Sequence, residues 1–304
     1  MTQRIGLIGL GIMGAPMARN LLKAGVPTTV HSRTASKVAA LVAAGAAAAS
    51  SAREVAERTD VVITMLPDTP DVRQVVLGPD GVVAGGRPGL ILIDMSTIAP
   101  AATRALAESL AAHGMHMLDA PVSGGESGAI AGTLSIMVGG DAAILERCRP
   151  ILAALGTRIT HMGPSGCGQM TKLCNQVVGA LTLHAVVEGL VLARQAGMDM
   201  AGVIEALSGG AADSWMLRNL GPRMAAGDFA PGFFVRLQQK DLRLVAEWAA
   251  TVHANLPGTV VTSQLLGVVE AMGGGELGTQ ALFLALERLS GIGAAQRGPG
   301  SAGS

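Results

Sequence analysis

Tyrosine is absent from the 304 residues, and aromatics are scarce, with four phenylalanines and two tryptophans. The missing tyrosine excludes every mechanism in which a tyrosine hydroxyl gives the proton, short-chain dehydrogenase and aldo-keto reductase chemistry among them, because a general acid must itself reach the reacting atom. Cysteine is rare too. Cys148, Cys167 and Cys174 form no CxxC pair and no even-numbered framework, so three reduced thiols in a cytoplasmic protein are expected. Net charge is zero, with 22 basic and 22 acidic side chains, which leaves no basic surplus for nucleic acid or an anionic membrane and no acidic tail. The six histidines lack metal-ligand spacing. His113 and His116 are three apart, but a glycine at the start of a strand separates them, and no metal is expected. A strand that begins by Arg4 leaves no room for a signal peptide. The longest apolar run, Val177 to Ala193, is broken by His184 and Glu188 and reads as a buried helix, not a membrane span.

Lysine is the scarcest charge. Lys23, Lys37, Lys172 and Lys240 stand against 18 arginines. In GQMTKLCNQVVGALTLHAVVEGL (168–190), Lys172 is the sole charge before Glu188. Arginine stays charged at any ordinary pH, whereas a desolvated lysine can lose its proton. Periodicity alone also allows a solvated face along which Lys172 snorkels. On a helix, Gly168, Lys172, Asn175, Gln176 and Gly179 form a polar or small stripe.

Hydrophobic residues make up 49% of the chain and charged residues 14%, and the length suffices for two domains with real cores. In the first half, short apolar runs alternate with helical patterns. RIGLIG (4–9), PTTVH (27–31), DVVITMLP (60–67), GLILIDMST (89–97), GMHMLDAPV (114–122), TLSIMVGG (133–140) and TRITHMG (157–163) read as strands, and 12–24 and 35–44 as helices. The expected fold is α/β, a doubly wound and mostly parallel N-terminal sheet followed by an all-α C-terminal domain. The expected division is 1–163 for the α/β domain, 164–292 for the helical domain, and 293–304 for a disordered tail. Beyond the glycine- and proline-rich GPSGCG (163–168), helices are expected at roughly 168–196, 199–208, 213–225, 238–253, 259–272 and 278–290, the first bridging the two domains.

Gly9-Leu10-Gly11-Ile12-Met13-Gly14 is a GxGxxG placed after a strand and opening a helix. The first glycine permits the tight turn, the second lets backbone approach a pyrophosphate, and the third allows close helix–strand packing. The helix N-terminus then presents free amides and a positive dipole end. At the end of the second strand, where an NAD site carries an acid, the chain reads Val30-His31-Ser32-Arg33-Thr34. Arg33 can pair with a 2′-phosphate and Ser32 and Thr34 can donate to it, which favours NADP(H) and leaves NAD(H) possible. The other reading is a solvated loop arginine and an enzyme that takes either cofactor.

GLIGLGIMGAPMA at the start, DAPVSGGESGAIAGTLSIMVGG (119–140), GCGQMTKLCNQ (166–176) and PGFFVRLQQKDL (231–242) together resemble the β-hydroxyacid dehydrogenase family. That family includes 3-hydroxyisobutyrate dehydrogenase, tartronate semialdehyde (2-hydroxy-3-oxopropionate) reductase and the glyoxylate/succinic semialdehyde reductases. The resemblance implies an N-terminal Rossmann domain followed by a helical domain, an active site in the cleft between them, and Lys172 as the catalytic residue with Asn175 beside it. It implies that Ser123, Gly124 and Gly125 hold a substrate carboxylate. Met65, Leu66, Pro67 and Thr97 would lie along the cofactor, Lys240 would reach it with Asp241 alongside, and Phe233 would line the substrate pocket. A small-molecule carboxylate substrate and a homodimer or homotetramer follow from the same resemblance. Segments 208–233 and 275–282 look closer to the tartronate semialdehyde and glyoxylate reductases than to 3-hydroxyisobutyrate dehydrogenase. An imine reductase and a non-catalytic dinucleotide-binding scaffold are the competing readings, and the presence of Lys172 argues against both.

Hydride transfer to a carbonyl builds negative charge on its oxygen, which a nearby acid must quench. Lys172 can do this, and in reverse the neutral amine can take the proton. Burial and a second cation such as Lys240 are expected to ease the loss of its proton.

Overall fold

The computed structural model describes residues 3–291, so the expected disordered tail lies outside the described residues. The contacts divide the chain into two compact units, one ending at Leu173 and the other beginning at Cys174.

In the first unit, alternation of short strands and helices gives β1 (Ile5–Ile8), α1 (Gly14–Lys23), β2 (Thr28–His31), α2 (Ala35–Val42), β3 (Ala47–Ala48), α3 (Ala52–Arg58), β4 (Val61–Thr64), α4 (Thr69–Leu77), α5 (Val82–Gly85) and β5 (Ile91–Asp94). It continues through α6 (Pro100–Ala111), β6 (His116–Asp119), β7 (Val122–Ser123), α7 (Gly125–Ala131), β8 (Leu134–Gly140), α8 (Ala142–Ala153) and β9 (Gly156–Gly163), and ends in the first turns of α9 (Cys167–Gln195). The nine strands form one sheet in the order β3-β2-β1-β4-β5-β6-β8-β7, with β9 added on β8. All pairs from β3 to β6 are parallel, as is β8 with β9, whereas β6 and β7 meet β8 antiparallel.

Both faces of the sheet are covered. Successive residues of a strand point to opposite faces, so Ile5, Leu7, Ile63 and Ile93 join one core with Met17 and Leu21 of α1. Ile8, Val62 and Leu92 join the other with Val55, Val72 and Leu106. This double burial is why the strands read as continuous apolar runs rather than alternating ones.

The sequence reading of one strand over 114–122 needs correction. The strand stops at Asp119, and after Ala120-Pro121 the chain restarts as β7, hydrogen-bonded antiparallel to β8. Proline has no N–H for a ladder and marks the break. Ser123 therefore sits in a short strand, and Gly124 caps the helix that begins at Gly125.

The second unit is helical: the rest of α9, then α10 (Met200–Ser208), α11 (Trp215–Ala225), α12 (Val235–Thr251), α13 (Pro257–Ala271) and α14 (Leu282–Leu289). The last begins later than its expected start at 278, because residues 279–281 form a separate tight turn of helix. Leu183, Val187 and Leu190 of α9 pack with Leu217, Val235, Leu266 and Phe283 in one core. Arg194 ties the end of α9 to α14 through buried Glu287, its guanidinium stacked 4.7 Å from the centre of the Phe283 ring. By length and composition α9 could cross a membrane. Its expected burial holds for one face only: Val178 and Leu192 are 64% and 73% exposed.

Candidate active site

The parallel strands end in a row. Cross-strand register sets Ile8 beside Thr64, Thr64 beside Asp94, and Asp94 beside Asp119. Ligands of open α/β sheets bind beyond such carboxyl ends, at the point where the strand order reverses, which here is β1 between β2 and β4. Gly9 and Met65-Leu66-Pro67 follow directly on β1 and β4, and Thr97 lies in the turn after β5.

The glycine loop fits a dinucleotide. Gly9 has φ of +99°, and a Cβ there would lie 2.9 Å from the Leu66 side chain. A Cβ on buried Gly14 would overlap the carbonyl oxygen of Gly9, so α1 can pack on β1 only if that residue is glycine. Gly11 is exposed and meets nothing within 4 Å, which leaves room for a phosphate against the backbone. Leu10 is buried and Ile12 and Met13 are partly so, and no side chain caps the start of α1. At the end of β2, Ser32 accepts a hydrogen bond from the Thr34 amide, and Arg33 is 85% exposed, 3.6 Å from Asp71.

Lys172 lies in the second turn of α9 and is only 8% exposed, which overturns the solvated-face reading. Of the stripe picked out by periodicity, Gly168 and Gln176 are buried with it, and Asn175 and Gly179 are partly so. The first turn of α9 is bonded to the sheet. The Gly166 and Gln169 amides donate to the two oxygens of Asp119, at 2.8 and 2.9 Å. The Gln169 side chain donates to the Ser96 carbonyl (2.8 Å) and accepts from the Ile98 amide (3.1 Å). Ser96 Oγ accepts from the Leu66 amide (2.9 Å), and its own N–H donates to Asp94, as does the Thr64 hydroxyl. Sequence reasoning missed Gln169, Ser96, Asp94 and Asp119. A readable signal existed, since LILID and HMLD each end an apolar strand in an acid.

Burial pushes the Asp94 carboxyl up to about 6, against hydrogen bonds from Ser96 and Thr64, and one of its oxygens has no partner. Burial also raises Asp119, opposed by the amides it accepts. Because the folded state holds the Asp94 proton more tightly than the unfolded chain, this group lowers stability as pH rises from 3.8 to about 6. The stability of wild type minus that of Asp94→Asn should therefore fall by roughly 3 kcal/mol between about pH 4 and pH 7, measured by urea unfolding at each pH.

In the second unit, Gln176 of α9 donates to Asp241 of α12 (2.6 Å), whose other oxygen lies 2.6 Å from Lys240 Nζ. Asn175 and Phe233 are partly exposed, Phe233 just before α12.

Residues 4–163 match the family described as the NAD binding domain of 6-phosphogluconate dehydrogenase, and 166–286 the one described as NAD-binding of NADP-dependent 3-hydroxyisobutyrate dehydrogenase. The chain is 44% identical over 288 residues to the 2-hydroxy-3-oxopropionate reductase of Escherichia coli, covering 94% of this chain and 98% of that protein. It is 42% identical to the NAD-dependent L-serine dehydrogenase of Pseudomonas aeruginosa over 262 residues, 84% of this chain and 88% of that one. Among solved structures, Mycobacterium tuberculosis 3-hydroxyisobutyrate dehydrogenase with L-serine superposes with a TM-score of 0.85 at 35% identity, covering 94% of this chain and 99% of that one.

Proposed function

The chain belongs to the β-hydroxyacid dehydrogenase family, an NAD(P)-dependent oxidoreductase acting on CH–OH groups, and from that premise we propose that it reduces a short carboxylate-bearing aldehyde or keto acid of the tartronate semialdehyde, glyoxylate or succinic semialdehyde type. The observation that carries the proposal is the placement of Lys172, only 8% exposed, in the helix turn that follows Gln169, whose amide and side chain are bonded to Asp119 and to the backbone flanking Thr97 at the carboxyl ends of the strands.

The nicotinamide, when bound, supplies the hydride. Lys172 gives its Nζ proton to the oxygen that becomes the hydroxyl, and takes one from the hydroxyl in the oxidative direction. The Ser123 hydroxyl and the backbone of Gly124 and Gly125 hold the substrate carboxylate, as glycine-exposed amides suit an anion. Met65, Leu66, Pro67 and Thr97 flank the cofactor. On the second unit Asn175, Phe233 and Asp241 are assigned to the substrate, and Lys240, ion-paired with Asp241, to the cofactor. Arg33, exposed at the end of β2, favours NADP(H). The exposed α9 face of Cys174, Val178, Ala185 and Leu192 is assigned to contact between copies of a cytoplasmic homodimer or homotetramer.

A second reading, oxidation of a 3-hydroxy acid such as 3-hydroxyisobutyrate or L-serine, is favoured by the relatives named for those substrates. One panel separates the two: NADPH or NADH consumption with tartronate semialdehyde, glyoxylate, succinic semialdehyde and methylmalonate semialdehyde, and NAD(P)+ reduction with L-serine. Turnover of one of the first three, with NADPH preferred, is the expected result. Inactivity with all four aldehydes overturns the short-acid reading, and a clear NADH preference overturns the role given to Arg33.

A further inference from the structure

We propose that Gln169 is a positioning residue that sets the spacing between the Thr97 turn and Lys172. The inference rests on the proton-donor reading of Lys172. Gln169 is fully buried, and both ends of its amide are used on the backbone flanking Thr97: Nε2–H donates to the Ser96 carbonyl and Oε1 accepts from the Ile98 amide. Its own amide is held by Asp119. A single side chain thus joins the turn after β5 to the helix turn immediately before Lys172. Through Ser96 Oγ the connection extends to the Leu66 amide. The two stretches assigned to flank the cofactor, 65–67 and Thr97, are thereby tied to the helix that carries the proton donor.

Such a link has a reason in the chemistry. Hydride and proton arrive at adjacent atoms of one carbonyl, so their sources must keep a fixed separation, and a misplacement of about 1 Å can cost about 100-fold in rate. Backbone anchored to the sheet can maintain that separation. A helix free to slide on the sheet cannot.

The test pairs two variants with Lys172→Ala, using NADPH and the aldehyde of the panel that is turned over fastest. Gln169→Met fills the same space and makes neither bond. Its kcat should fall about 10- to 100-fold while the dissociation constant for NADPH, read from cofactor fluorescence, stays within about threefold. Amide hydrogen exchange in 96–98 and 166–172 should quicken without cofactor or substrate present. Gln169→Glu can accept from Ile98 in either state but can donate to the Ser96 carbonyl only when protonated. Asp94 on β5, Asp119 on β6, Arg104 on α6 against Gly166, and Lys172 on α9 are the charged groups around it. Burial and the two carboxyls hold the introduced acid protonated toward neutral pH. Its kcat relative to wild type should therefore climb toward one as pH is lowered from about 9 to about 6, a recovery that a merely space-filling role would not produce.

A folded Gln169→Met with kcat within about twofold of wild type, or a Gln169→Glu ratio that is flat with pH, overturns the proposal. Should the methionine variant fail to fold, the glutamate series decides. An active Lys172→Ala removes the proton-donor reading itself. An inactive Lys172→Ala beside wild-type-like Gln169 variants removes only the positioning role.

Discussion

Lys172→Ala should lower kcat by about 10²- to 10⁴-fold, the range of a positioned general acid, and leave NADPH binding within about twofold. Alanine keeps the helix, so the loss isolates the ammonium. Lys172 is 8% exposed, and Gln176 and Leu173 beside it are buried, which leaves little space for water to stand in as donor. Replacement by arginine should not restore the rate, because a guanidinium does not release its proton at ordinary pH. Stopped-flow NADPH oxidation under saturating substrate measures the step directly. Turnover at the wild-type rate with intact NADPH binding would mean that the proton comes from another group.

Gly168→Ala should destabilise the protein by about 3 kcal/mol or more, lowering the melting temperature by roughly 6–12 °C. A Cβ there would overlap the Met137 carbonyl oxygen and stand 2.6 Å from the Asp119 carbonyl oxygen and 2.8 Å from its carboxylate. The two carbonyl oxygens are backbone and the carboxylate is held by the Gly166 and Gln169 amides, so α9 must lift from the sheet as a body. Gly139 meets the same junction from below, with a Cβ position 2.7 Å from the Gly168 nitrogen. Lifting α9 carries Gln169 and Lys172 with it, so kcat should fall together with stability. A melting curve superposable on wild type would show that the helix has slack the close contacts deny.

Much of the fold was legible because strands buried on both faces write themselves as unbroken apolar runs, as in RIGLIG and DVVITMLP. The two residues of β3 carry no such run. Helix α3 was overlooked although Ser51 and Glu54 spell a capping box, and Ser51 Oγ does accept from the Glu54 amide. At the site, the glycine loop and the odd lysine stood out by composition and local order. Gln169 and its partners did not, since the bonds that give them meaning span 50 to 73 residues of sequence, and no periodicity encodes a pairing at that distance. Asp94 and Asp119 acquire their raised affinity for protons from burial, which shows only once the strands are aligned.

The division between the compact units falls after Leu173, one residue past Lys172, although α9 runs on without a break to Gln195. Lys172, the proposed proton donor, thus belongs to the same compact unit as the glycine loop, while Asn175 and Phe233 belong to the other. A foreign helical segment grafted after Leu173 would therefore exchange Asn175 and Phe233, the residues assigned to the substrate, and leave the glycine loop and Lys172 in the half that is kept.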